Sequence, residues 1–378
     1  MPFADELISR QTARTLTHAI RAAVPDAEVP ALRAAPAHME GLPLRKRADL
    51  LRDALLTDLP GDFASLARTV RRARDGTSDF TGWLIWPVTA AVAAKAVDEG
   101  DAESFDDAMA LLAELTGRLT SEFAVRTLLR HDLDRALAII AGTWTRSDDA
   151  DVRRLASEGT RPYLPWAVRV PAITASPGVT VPVLDALHRD ESEYVRRSVA
   201  NHLNDLGRDH PDTAVDAARR WLADPAPTTE RLVRHGLRTL VKRGHRGSLE
   251  LLGFPAAALD VQGPFLDRDV VPIGESVRLT AAITNVGDTA ARLAIDYIVH
   301  HRKANGGRTG KTFKLTTRTL APGERTEVAR EHSFRPITTR RYHPGGHAIS
   351  LQINGVESTR TAFLLAPQDP SLTQDGSA

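Results

Sequence analysis

The chain has 378 residues, with 49 Lys+Arg against 48 Asp+Glu, a formal net charge of +1, 42% hydrophobic and 26% charged residues, and no cysteine. That length predicts two or three domains with ample core, and the composition is that of a globular chain. The missing cysteine excludes disulfides, thiolate zinc sites and a catalytic thiol, while a charge near zero makes no case for nucleic acid unless the cations are gathered on one face.

Residues 1–40 are rich in Ala, Pro and Arg; a helix is expected near Leu7 to Ala22, then a loop carrying Pro25, Pro30 and Pro36. Met1 to Ala23 lacks the apolar core of a signal peptide. No stretch approaches the roughly 18 uncharged apolar residues of a membrane span, so a cytoplasmic chain without membrane contact is expected. The longest apolar run, Trp83 to Ala94, contains Pro87, ends at Lys95 and reads as a buried helix.

From 41 to 255 the periodicity is helical, as in Leu50, Leu51, Ala54, Leu55 and again Met109, Leu111, Leu112, Leu115. Within it a short motif recurs. Asp151-Val152-Arg153-Arg154 resembles Tyr194-Val195-Arg196-Arg197, with weaker copies at Leu232-Val233-Arg234 and Ala124-Val125-Arg126. The spacing of about 40 residues fits HEAT-like helix pairs. It predicts each valine in the shared core and the following arginine on the inner, concave face of the array. A solvated or salt-bridged helix face is the competing reading of those arginines.

After Pro255 the period changes to two. Strands are expected at Ser276–Ile283, Leu293–Val299, Lys311–Thr317, Glu327–Phe334 and His347–Ile353, with turns at Asn305-Gly306-Gly307, Pro322-Gly323, Pro344-Gly345-Gly346 and Asn354-Gly355. About seven short strands over 258–366 predict an immunoglobulin-like β-sandwich; the polar stretch 367–378 is expected to be disordered. The fold class is therefore a HEAT-like α-solenoid followed by a β-sandwich. The 258–366 segment holds 15 Lys+Arg and 10 Asp+Glu, a surplus of +5. Arg302, Lys303, Arg308, Lys311 and Lys314 crowd the 300–314 stretch, which reads as a cationic hairpin tip suited to phosphate.

No phosphate loop, dinucleotide fingerprint, HExxH or GxSxG motif is present, and neither a metal nor a cofactor is expected. The densest stretch is DVRRLASEGTRPYLPWAVRVP, 151–171. Glu158 stands at the C-terminal end of a helix, where the macrodipole opposes a carboxylate. It needs a partner or a task, and Arg154, four residues earlier, could be the partner. Trp166 follows a proline-containing turn that could fix its ring near Glu158. Glu122, in Thr120-Ser121-Glu122, reads from its position as an acid complementing a helix start. Asp205 reads as a helix-end or loop carboxylate.

The stretches TSEFAVR, VRRLASEGTRPYLPW and VRRSVANHLNDLGRDHP resemble the AlkC branch of the AlkC/AlkD-type DNA alkylation repair glycosylases, over most of 40–255. The appended β domain is also similar to the AlkC arrangement. The resemblance implies a monofunctional glycosylase that hydrolyses the N-glycosidic bond of cationic alkylated bases: 3-methyladenine and 3-methylcytosine, with 1-methyladenine a further candidate. It assigns Glu122 and Glu158 to the cationic sugar and water, Trp166 to stacking near the lesion, and Asp205 as a third carboxylate. Contacts to double-stranded DNA carrying alkylated bases would come from Arg153, Arg154, Arg161, Arg169, Arg196, Arg197, Arg234 and Lys242, with Arg302, Lys303, Arg308 and Lys311 of the β domain. A monomer, associated with the nucleoid when on DNA, is expected. A lesion-binding protein without catalysis and a HEAT-type protein scaffold are the competing readings; what separates them is where Glu122 and Glu158 project relative to Trp166.

Overall fold

The computed structural model describes residues 6–338 and 340–367, so the tail expected to be disordered lies, from Gln368 onward, outside the described residues. The chain forms two compact units that divide between Gly236 and Leu237.

The first unit is helical. Its opening helix, Arg10–Ala23, begins at a reciprocal cap in which Ser9 and Thr12 each satisfy the other's backbone N–H. The proline-bearing stretch after it differs from the expected loop: it contains a short helix, Pro30–Ala34, and a 3-10 turn, Ala35–His38. The reason is tertiary. Pro30 occupies the first helical position, where no N–H is needed. The Asp58 carboxylate, arriving from helix Leu44–Asp58, accepts from the N–H groups of Ala31 and Leu32 at 2.9 and 2.8 Å. The apolar run forms helix Ile85–Glu99, with Pro87 in its first turn.

The four motif copies lie on helices Val125–His131, Ala150–Gly159, Glu193–Asp209 and Thr229–Gly236. The last three pack side by side in chain order, and Val152, Val195 and Val233 are all buried. The first copy closes against the second: a Cβ on Gly159 would stand 2.6 Å from Val125 Cγ1, so the helices meet at a glycine.

The second unit is a sandwich of nine strands among the described residues: β1 Leu259–Leu266, β2 Val270–Pro272, β3 Ser276–Asn285, β4 Ala291–Arg302, β5 Arg308–Leu320, β6 Arg325–Ser333, β7 Gly345–Ile353, β8 Val356–Glu357 and β9 Thr361–Ala366. One sheet has the order β1-β3-β6, the other β2-β9-β7-β4-β5, with β8 beside β7. Val277, Leu279 and Ile283 meet Leu293, Ile295, Val299, Ile349 and Leu351 between the sheets. The 300–314 stretch, read as a hairpin tip, is instead mostly strand. β4 and β5 stay paired out to Arg302 opposite Arg308, and the turn occupies only 303–307.

Two short helices, Arg238–Lys242 and Arg246–Leu251, belong to this unit. They rest on the turn after β7, where Gly244 and Gly355 meet backbone to backbone. Both have left-handed φ, 74° and 84°, and a Cβ on Gly355 would lie 2.4 Å from the Gly244 carbonyl oxygen.

Several histidines are buried neutral. His202 donates from Nδ1 to the Ser157 carbonyl and shares a bond with the Thr180 hydroxyl. Burial, with Arg161 and Arg126 adding to it, pushes its pKa down to about 3. In the sandwich, burial depresses His301 to about 3 and His332 to about 4. The unfolded chain titrates these groups near about 6.5, so below that value the unfolded state binds more protons. The stability they carry is full above pH 6.5 and is lost as pH falls toward their folded values. Thermal melts should show Tm falling steadily from pH 7 to pH 5. In His202→Asn, which keeps a donor for Ser157, the slope of stability against pH in that window should shrink by about one proton; an unchanged slope would mean His202 is not buried neutral.

Candidate active site

In the two copies with paired arginines, 151–154 and 194–197, the two arginines have separate tasks. The first reaches back across the start of its own helix to two carbonyls of the preceding loop. Arg153 Nη1 donates to Ser147 and Asp148 at 2.8 and 3.0 Å, and Arg196 Nη1 to Asp190 and Glu191 at 2.6 and 2.8 Å. Arg153 is further held by Asp190, at 2.7 Å from Nε and 3.2 Å from Nη2, and is buried. Both side chains are therefore tied to the loop before their own helix. Helical phase sets where a Cβ points, but a long guanidinium can turn back to carbonyls that would otherwise lack donors.

The second arginine of the 151–154 copy enters a chain of alternating charge. Glu122, in the turn before helix Val125–His131, accepts from Thr120 Oγ1 at 2.9 Å and from Arg154 Nη1 at 2.7 Å. Arg154 Nη2 lies 3.8 Å from Glu158 Oε1. That same oxygen accepts from Arg161 Nη1 at 2.5 Å, while Ser198 Oγ donates to Glu158 Oε2 at 2.6 Å. Arg161 Nε donates to Asp205 Oδ2 at 2.8 Å. Glu122, Glu158 and Asp205 thus come together through two guanidiniums, from the 122 turn and two neighbouring motif helices. Glu122 and Glu158 are only 8% and 6% exposed. Burial works against the charges of Arg154 and Arg161, but Glu122 and Glu158 outweigh it for the first, and Glu158 and Asp205 for the second, so both pKa values are raised. Each is a fixed cation.

Trp166 lies in the turn that follows helix Ala150–Gly159. It is 53% exposed, with a left-handed φ of 59° that a tryptophan adopts only under constraint. Its carbonyl accepts from Arg45, and its ring meets the edge of Trp83 at 6.2 Å between centroids. Trp83 leads to Trp86 at 6.3 Å, and Trp86 stacks on Phe123 at 4.1 Å, beside Glu122. Tyr163 lies between the guanidiniums of Arg169 and Arg208, at 4.4 and 4.5 Å.

The residue that holds this turn escaped sequence reasoning. Arg126 is wholly buried and donates to the carbonyls of Gly159, Arg161 and Val168 at 2.9, 2.8 and 2.5 Å. It clips together both ends of the segment that carries Trp166. Burial, then Arg169 and Arg161, lower its pKa to about 10, still charged at neutral pH. In sequence it looked like a faded motif copy; an arginine followed directly by Thr127-Leu128-Leu129 in a short apolar helix was the available signal.

The other expected cations are dispersed. Arg197 and Arg234 are exposed, and Arg196 and Arg197 line a cleft of about 200 Å³ with Arg231, Thr228 and His235. In the second unit Lys242, Arg302, Lys303, Arg308 and Lys311 are exposed. The Lys311 pKa is lowered by desolvation and by its cationic neighbours Arg340 and Lys242. Among the described residues no group of three His, Asp or Glu could hold a metal ion, and no helix is long and apolar enough to cross a membrane.

Residues 260–367 match a family model described as the C-terminal Ig-like domain of uncharacterised protein YhaZ. The uncharacterized protein YhaZ of Bacillus subtilis (strain 168) is 36% identical over 252 residues, 66% of this chain and 70% of that protein. A solved structure of the Pseudomonas fluorescens alkylpurine DNA glycosylase AlkC, bound to DNA containing an abasic site analog, superposes with a TM-score of 0.80. It is 31% identical, and the match covers 97% of this chain and all of that one.

Replacing Arg126 by Met should cost about 3 kcal/mol, because one buried and two part-buried carbonyls lose their donor at about 1–3 kcal/mol for a buried group and less for the others. Arg126→Lys should recover only part of this. Urea unfolding reads the loss, and Trp166 fluorescence at low urea should change first; wild-type stability in Arg126→Met would show that the turn is held by other contacts.

Proposed function

The chain belongs to the AlkC-type family, helical repeats followed by an immunoglobulin-like domain, and from that premise we propose that it is a DNA glycosylase releasing cationic alkylated bases. The observation that carries the reading is the convergence of Glu122, Glu158 and Asp205 in one buried network, with an exposed, conformationally constrained tryptophan on the turn that follows Glu158.

The chemistry follows from charge. In a base such as 3-methyladenine or 3-methylcytosine the ring is already positive, so the bond from C1′ to nitrogen breaks with its electron pair leaving on the base, which departs neutral. The positive charge then sits on the sugar as an oxocarbenium-like species. Glu122 and Glu158 stabilise that charge, and a carboxylate takes the proton of the water that attacks C1′. The Trp166 face offers cation–π attraction to the charged nucleotide, worth about 0.5–2 kcal/mol.

Phosphate contacts are assigned to Arg169, Arg197 and Arg234 in the helical unit and to Lys242, Arg302, Lys303, Arg308 and Lys311 in the β unit. Arg153, Arg154 and Arg161 are set apart because their donors are engaged within the protein.

The test is base release from duplex DNA carrying 3-methyladenine. Glu158→Gln should lose at least about 100-fold in single-turnover rate while binding DNA normally, and Trp166→Ala should lose less. No release by folded wild type from 3-methyladenine, 3-methylcytosine or 1-methyladenine DNA would overturn the reading in favour of a binding module or scaffold. Separately, replacing Arg302, Lys303 and Arg308 together by Ala should weaken damaged and undamaged duplex alike. It should also flatten the salt dependence of binding by about two to three counterions; an unchanged slope would remove the β4–β5 tip from the interface.

A further inference from the structure

The two guanidiniums of the carboxylate network are held differently. Arg161 is pinned: Nη1 and Nε are bonded to Glu158 and Asp205, its amide to the Glu158 carbonyl at 3.3 Å, and its own carbonyl to Arg126. Arg154 has one close carboxylate contact, 2.7 Å to Glu122, and one loose one, 3.8 Å to Glu158. Its guanidinium carbon lies 5.0 Å from the centre of the Tyr194 ring, and Tyr194 is 47% exposed. A flat cation therefore rests on a half-exposed aromatic ring beside two carboxylates. Those are also the features of an N-alkylated purine or pyrimidine attached to its sugar.

We propose that Arg154 is a resident counter-ion: its guanidinium occupies the place into which the substrate must bring positive charge, and the site selects cationic lesions by exchanging one cation for another. This rests on the glycosylase reading above and adds a source of specificity to it. The exchange conserves charge. Glu122 keeps the Thr120 hydroxyl and Glu158 keeps Ser198 and Arg161 when Arg154 swings aside, so both carboxylates stay oriented toward the newcomer. A neutral base entering the same place would leave Glu122 buried without a cation, and an uncompensated buried charge is strongly unfavourable. Asp151 adds further negative potential around Tyr194.

The experiment compares duplexes bearing two abasic analogues of nearly the same shape, a neutral tetrahydrofuran and a protonated pyrrolidine. Binding is measured for wild type, Arg154→Met and Arg154→Lys, with thermal melts to establish folding. Removing the resident cation should tighten the pyrrolidine duplex by about tenfold in Arg154→Met and leave the tetrahydrofuran duplex within about twofold. Arg154→Lys, which cannot lie flat on Tyr194, should fall between and decides the matter if the Met variant does not fold. Equal weakening of both duplexes would mean Arg154 contacts phosphate, and an unchanged ratio would mean it never leaves its seat; either overturns the proposal. Wild-type base release, run alongside, fails separately if the glycosylase reading is wrong.

Discussion

Three carboxylates gathered in a shielded patch repel one another, and the patch survives because two guanidiniums are threaded between them. Glu122, Glu158 and Asp205 come from segments far apart in sequence, so the Arg154–Glu122 and Arg161–Asp205 pairs are also ties across the array. Arg154 joins the 122 turn to helix Ala150–Gly159, and Arg161 joins that helix's end to helix Glu193–Asp209. The geometry of the chemistry and the packing of the repeats are in this way one problem. A change that loosened the helices would also unbalance the charges, and a change that removed one charge would strain the packing.

The segment after Glu158 depends on a second constraint. A left-handed tryptophan costs of order 1–3 kcal/mol and persists only when its surroundings over-determine it. Here Arg126 holds the segment by three carbonyls from beneath, Arg45 holds the Trp166 carbonyl, and the Trp83 edge braces the ring. Spending stability to hold one exposed ring in place is what a working surface requires of its scaffold.

Much of this was legible in the sequence. The valines of the motif copies announced the core, and the change of period near Pro255 announced the switch from helix to strand. Glu158 stood out because a carboxylate at a helix C-terminus opposes the dipole. Its anticipated partner at i−4, Arg154, proves the looser one; Arg161, three residues on, sits closer because the turn folds it back. What could not be read were contacts made by reach across sequence. Ser198 on Glu158, Asp58 on the Pro30 helix, Trp83 against Trp166 and Arg126 beneath the turn join residues 26 to 83 positions apart. Strands β1, β2, β8 and β9 were missed for a local reason: Gly263-Pro264 interrupts the alternation of the first, and the others are short.

The meeting of Gly244 with Gly355 bears on how such a chain could be assembled from parts. By periodicity the helices at 238–251 look like the tail of the repeat array, yet they are seated on the β7–β8 turn by a contact that tolerates no side chain on either strand of backbone. They travel with the sandwich as its lid. A sandwich excised at the helix-to-strand switch would leave that lid behind and bare the turn, so an exchange of modules between related genes keeps both parts whole only when the seam falls at Gly236.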